Sequence, residues 1–68
     1  MEKTTAAQVI DSVLQLSDQL NDIDAQLQAL PEGAEREALL RAIGSVMFEL
    51  DSGLIRPLVG QYPGLDPG

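Results

Sequence analysis

The side chains that could do chemistry are mostly carboxylates, and several of them lie in the first half of the chain. Asp11, Asp18 and Asp22 share one face if this segment is helical, whereas Asp22 and Asp24 are two residues apart and do not face each other. Lone carboxylates on a helix surface bind a hard cation only weakly, and no loop has the DxDxDG spacing of a calcium site. We therefore interpret these acids as a solvated face and predict neither a carboxylate dyad nor a metal site.

Candidate nucleophiles are present without a base to activate them. Ser12, Ser17, Ser45 and Ser52 carry hydroxyl groups, but the sequence contains no His and no Cys. The GxxxxGK[ST] and GxGxxG patterns that cradle phosphates are also absent from the sequence. We therefore predict that the protein is not an enzyme and that it uses no cofactor.

The charge of the chain limits its partners. The formal net charge is -7, and the four basic residues, Lys3, Arg36, Arg41 and Arg56, are scattered along the sequence. Affinity for nucleic acid comes from basic side chains that neutralise phosphates, so we predict no nucleic-acid binding. Polar residues interrupt every apolar segment, and Met1 is not followed by an apolar run of signal-peptide length, so we expect a cytoplasmic protein with no membrane partner.

The carboxylates and serines of the first half lie on a segment with helical periodicity. Its apolar residues recur in alternating steps of three and four, the heptad pattern of a helix that packs along a neighbour. They are Ala6, Val9, Val13, Leu16, Leu20, Ile23, Leu27 and Leu30. A shorter apolar row, Ala7, Ile10 and Leu14, lies beside this seam in the N-terminal half. The pattern predicts a helix over about residues 5–30, ended by Pro31, with its N-terminal half covered on two sides.

A turn and a second helix follow. Pro31, Glu32 and Gly33 predict a turn over 31–33, because proline fixes φ and glycine is free to adopt unusual conformations. The second helix should run over about 34–55, antiparallel to the first. Its apolar residues are Leu39, Leu40, Ile43, Val46, Met47, Leu50 and Leu54. The Pro- and Gly-rich residues 56–68 predict an irregular tail, folded over Ile10 and Leu14 either within the chain or across a dimer.

These elements predict an all-α single domain over residues 1–68, an antiparallel helical hairpin with an irregular C-terminal tail that assembles into a four-helix bundle dimer. A chain of 68 residues buries little apolar surface, and without Cys or His neither disulfides nor a structural metal can compensate. We therefore predict a homo-oligomer, most simply a dimer. Its core and self-association residues are Val9, Val13, Leu16, Leu20, Ile23, Leu27, Leu30, Leu39, Ile43, Val46, Met47 and Leu50.

Further residues are candidate contacts with a partner, namely Ile10, Leu14, Phe48 and Tyr62. Phe48 stands beside small residues of the second helix, so it could anchor a docking protein. We favour the interpretation that it packs under the chain's own tail or at the self-association interface.

The leading functional hypothesis is a non-catalytic protein that acts by protein–protein interaction and self-associates through apolar helix faces. The alternative is a small acidic regulator, inhibitor or chaperone-like partner of a larger basic protein, suggested by the net charge. Its candidate contacts are Asp11, Asp18, Asp22, Asp24, Glu35 and Glu49.

Overall fold

A computed structural model describes residues 1–66, and Pro67 and Gly68 of the predicted tail lie outside the described residues. Helix α1 spans Lys3–Gln28 and helix α2 spans Ala34–Leu50; a π-helical turn over Asp51–Ile55 leads into helix α3, Arg56–Gln61, and a 3-10 turn, Pro63–Leu65. Residues 1–66 contain no β-strand. The prediction of an all-α helical hairpin is therefore confirmed.

The chain reverses direction in a short segment after α1. The N–H groups of Ala29 and Leu30 bond to carbonyl oxygens three residues earlier, at 3.2 and 3.0 Å, which tightens the last turn before Pro31. Gly33 then adopts φ 157° and ψ -178°, a conformation that residues with a Cβ rarely adopt. Its carbonyl accepts the N–H of Glu37 at 3.1 Å and so begins α2.

The segment from Ala34 to Gln61 is one helical rod with a single π-turn in it. Leu50, Asp51, Ile55 and Arg56 all keep right-handed helical φ and ψ angles, and the Arg56 N–H bonds to the carbonyl of Asp51, five residues earlier. This corrects the prediction of an irregular tail from residue 56. In a regular α-helix the ring of Pro57 would clash with the carbonyl four residues earlier, and the wider π-turn just before Pro57 relieves this clash.

The two rods meet along a contact line on each. On α1 the line comprises Ala6, Ile10, Val13, Ser17, Leu20, Asp24 and Leu27, all buried or half-buried. On the second rod it comprises Leu40, Ile43, Met47, Leu50, Ile55, Leu58, Tyr62 and Leu65. The step from Leu50 to Ile55 is five residues instead of the usual three or four. The extra residue of the π-turn thus keeps Ile55 and Leu58 facing α1.

The best-covered part of the molecule lies where the end of the chain packs on the start of α1. Ala6, Ile10 and Leu58 form a buried cluster. Packed against it are Val9, Ile55, Val59, Tyr62 and Leu65. The C-terminal segment therefore covers the N-terminal half of α1 within the same chain. Leu14, predicted to be covered as well, is 40% exposed, because the segment packs over Ala6 and Ile10 instead.

The hairpin is long and thin. Its principal extents are 45 × 18 × 16 Å, and its radius of gyration is 14.6 Å, whereas a compact domain of this length has about 11 Å. No residue of α2 is buried, and no large side chain among residues 1–66 is fully enclosed. Two helices side by side cover only one edge of each other.

Candidate interaction surface

The predicted seam of α1 divides into two rows in the structure. Val13 and Leu20 are buried against the second rod, whereas Leu16, Ile23 and Leu30 are exposed. Ser17 and Asp24 take the inward positions next to Leu16 and Ile23. The rotation of α1 that buries Ile10 in the core cluster turns these apolar residues outward, because one residue corresponds to about 100° around the helix.

The second rod shows the same division. Ile43, Met47 and Leu50 are half-buried, as are Val9 and Leu27 of α1, whereas Leu39 and Val46 are exposed. Leu54 is also exposed, because the π-turn places Ile55, and not Leu54, on the contact line. The predicted core and self-association residues thus comprise an inward group and an exposed group.

By helical register, the exposed group falls on one side of the hairpin. We call the following residues, which are 37 to 45% exposed, the side stripe: Leu16, Ile23, Leu30, Leu39, Val46 and Leu54. Within the helices, each of them directly precedes a contact-line residue, as Leu16 precedes Ser17 and Val46 precedes Met47. Two antiparallel helices are related by an approximate two-fold axis perpendicular to the plane that contains both helix axes. Residues that directly precede the contact line on either helix therefore lie on the same side of that plane.

The outer edge of the side stripe on α1 is uncharged. The border residues lie about one helical turn along the chain from a stripe residue and farther from the contact line; they are Ser12, Gln19 and Gln26 on α1 and Glu35, Ala42 and Glu49 on α2. The carboxylates of α1 are elsewhere, with Asp11, Asp18 and Asp22 away from the stripe and Asp24 half-buried on the contact line. The side stripe is therefore an apolar surface with a neutral border on α1 and two glutamates, Glu35 and Glu49, on its α2 border.

The opposite side of the hairpin carries charges of both signs. Residues that directly follow a contact-line residue lie there, including Asp11, Asp18 and Asp51 together with Arg41 and Arg56, and we call this the acidic side because its acids outnumber its bases. It also carries Leu14 and Phe48, and Phe48 is 64% exposed. The backbone carbonyl of Phe48 accepts a hydrogen bond from the Ser52 hydroxyl at 2.8 Å.

The other predicted partner contacts are used within the chain. Ile10, with 4% of its surface exposed, is covered by this chain's own C-terminal segment, which corrects its assignment as a partner contact. Tyr62 is half-buried, and its hydroxyl donates a hydrogen bond to the carbonyl of Met1. Leu14 and Phe48 thus remain accessible, and Ile10 and Tyr62 close the core.

The hairpin turn holds a shallow pocket of about 260 Å³. Leu30, Pro31, Gly33 and Arg36 line it together with Glu32 and Glu35, and the Arg36 guanidinium donates to the Gln28 side-chain oxygen at 2.8 Å. The Arg36 Nε is buried without a hydrogen-bond partner. Two glutamates beside one arginine make this pocket unfavourable for an anion.

The described residues were compared with the requirements of a metal site and of a membrane span. Within residues 1–66 no group of three acidic side chains is close enough to hold a metal ion. None of the helices in this part of the chain combines the length and the hydropathy needed to cross a bilayer.

No family model, curated protein or solved structure matches this chain significantly.

Proposed function

We propose that this chain is a small, non-enzymatic interaction protein that self-associates through its exposed apolar helix surface, forming a four-helix bundle from two hairpins. The observation that carries the proposal is the state of α2, a helix of 17 residues without one buried residue. Covering the apolar residues of such a helix with a further surface stabilises the folded state by about 25 cal/mol per Å² of apolar area buried.

The small core supports the same proposal. The buried residues of the described chain are Ala6, Ile10, Val13, Leu20 and Leu58. The sequence has no cysteine for a disulfide and no histidine for a typical zinc site, so association with another chain is the remaining common means of stabilisation. As parts of this proposal, the protein works without a cofactor, in the cytoplasm, and contacts neither nucleic acid nor membrane.

Light scattering on a sizing column tests this proposal, with circular dichroism on the same samples over a concentration series. We expect a helical dimer that loses helicity on dilution, because the stripe residues lose their cover when the copies separate. A monodisperse monomer that unfolds cooperatively at every concentration would contradict self-association.

A second candidate function is that of a small acidic regulator or chaperone-like protein that binds a larger basic partner. Phe48 favours it, because this aromatic side chain is 64% exposed and lies on the acidic side, and exposed aromatics often anchor protein interfaces. Capture from lysate with the original chain and with a Phe48→Ser variant tests it. We expect the Phe48→Ser variant to lose the protein that the original chain captures. If the variant captures the same protein, and if high salt does not reduce capture by the original chain, this function is contradicted.

A further inference from the structure

We infer that the second copy docks on the side stripe, so that two hairpins stack stripe against stripe and both acidic sides face outward. This inference rests on the self-association proposed above and specifies which surface carries it. Three observations lead to it: the distribution of exposed apolar residues, the amount of exposed surface and the partial packing of the stripe side chains.

The distribution of exposed apolar residues selects the side. Six large apolar residues are exposed on the side stripe, whereas Leu14 and Phe48 are exposed on the acidic side. Stacking through the acidic side would place charges of both signs in the interface, among them Asp18 and Arg41, and burying a charge is costly unless it is paired. Stacking through the side stripe brings uncharged residues of α1 to the interface and leaves Glu35 and Glu49 at its α2 border. The side stripe therefore offers a second copy more apolar surface than the acidic side does.

The amount of exposed surface agrees with one missing partner. The chain exposes 4814 Å², whereas a compact monomer of 7.3 kDa exposes about 4,200 Å². The excess of about 600 Å² is comparable with the roughly 800 Å² that each partner buries in an interface of standard size.

The stripe side chains are already partly held in place. Each is 37 to 45% exposed, so one edge of the side chain packs on its own hairpin while the other edge faces outward. Ordering a free side chain on binding costs about 0.5–1.5 kcal/mol, and partly packed side chains have less freedom to lose. The side stripe is thus a preorganised surface.

A pair of matched substitutions tests the inference. Ile23 and Leu14 both lie on α1 and are both 40% exposed, but Ile23 belongs to the side stripe and Leu14 to the acidic side. The dissociation constant of the dimer should rise by about tenfold or more for Ile23→Glu, because a charge then enters an apolar interface. Leu14→Glu should leave it within about twofold.

The outcomes separate the inference from the proposal on which it rests. If the original chain is a monomer, the proposed self-association itself fails. If the original chain is a dimer and Leu14→Glu weakens it as much as Ile23→Glu does, self-association stands and the side stripe is the wrong surface. Circular dichroism at high concentration verifies that both variants remain helical.

Single cysteines provide a second test that leaves the stripe itself intact. The chain has no cysteine, and the exposed neighbours Asp18 and Gln19 lie on opposite sides of the hairpin. With rising protein concentration, alkylation by N-ethylmaleimide should slow severalfold for Gln19→Cys and stay constant for Asp18→Cys. Equal protection of both thiols, or protection of Asp18→Cys alone, would overturn the inference even if Ile23→Glu fails to fold.

Discussion

At the scale of single residues, side chains of the same type have different roles according to which way the helix turns them. Ile10 and Ile23 are both β-branched residues of α1, yet Ile10 is enclosed by Leu58 and its neighbours while Ile23 is exposed. Gly33 and Gly44 likewise differ, since Gly33 has a positive φ in the turn and Gly44 lies within α2. Substitutions at these pairs should have different consequences.

Truncation of Ile10 should be costly. We expect Ile10→Ala to lower the free energy of unfolding by about 2–5 kcal/mol, because it leaves a cavity beside Ala6 and Leu58. Leu14→Ala is the control and should cost about 1 kcal/mol or less, since much of Leu14 is already in water. Urea unfolding at one fixed protein concentration measures both, and equal losses would show that the C-terminal segment does not cover Ile10.

The two glycines should respond to alanine with opposite signs. A Cβ at either Gly33 or Gly44 meets no atom within 4 Å, so sterics with other residues do not interfere. Gly33→Ala should destabilise by about 1–3 kcal/mol, because its backbone conformation is almost exclusive to glycine. Gly44→Ala should stabilise by about 0.5–1 kcal/mol, because alanine is the better helix former. Thermal unfolding distinguishes these outcomes, and a stabilising Gly33→Ala would contradict the turn conformation.

At the scale of elements, the π-turn joins α2 to α3 and keeps one face of a long rod on α1. It is also where Asp51 and Arg56 approach, with 2.8 Å between a carboxylate oxygen and the guanidinium Nε. Both side chains are largely exposed, so this ion pair contributes at most about 1 kcal/mol. The π-turn contributes more to stability than this ion pair does, because it accommodates Pro57 and keeps the contact line on α1.

Deletion of Gly53 should reveal this coupling. It shortens the step from Leu50 to Ile55 to four residues, which a regular α-helix can satisfy, but Pro57 then clashes with the preceding turn. We expect a loss of about 3 kcal/mol or more in unfolding free energy. The same deletion combined with Pro57→Ala should recover most of that loss. Urea unfolding of the two variants is the measurement, and equal stability would mean that proline does not require the π-turn.

The elements were largely predictable from the sequence, and the rotation of α1 was not. Steps of three and four between Val9 and Leu30 predicted the helix, and Pro31 with Gly33 predicted the turn. The same seam offered two rotations, one burying Leu16 and Ile23 and the other burying Ile10. The choice depends on the C-terminal segment, whose helicity was missed because Pro57 and Gly60 suggested an irregular chain. The row Ala7, Ile10 and Leu14 was the signal that pointed to the observed rotation.

At the scale of the whole molecule, the hairpin has two unlike sides. The side stripe is apolar and bordered on α1 by neutral residues, and the acidic side carries carboxylates around Leu14 and Phe48. A dimer built through the stripe still joins two chains that each carry a net charge of -7. Its stability should therefore depend on ionic strength.

Added salt should strengthen the dimer. Raising the ionic strength from about 0.01 to 0.15 M shortens the Debye length from roughly 30 to 8 Å and screens the repulsion between the copies. We expect the dissociation constant to fall severalfold in sedimentation equilibrium experiments. A constant that rises with salt would indicate attraction between opposite charges, as expected for a basic partner and not for a second copy.

The core cluster also has a consequence for how the chain is made. It joins residues that are far apart in the sequence, since Ala6 packs with Leu58, and the Tyr62 hydroxyl bonds to Met1, 61 positions away. During synthesis α1 leaves the ribosome before α2 and α3, so its apolar N-terminal half stays uncovered until Leu58 and Tyr62 have been synthesised. In that interval this half of α1 is a nascent helix without its intended neighbour.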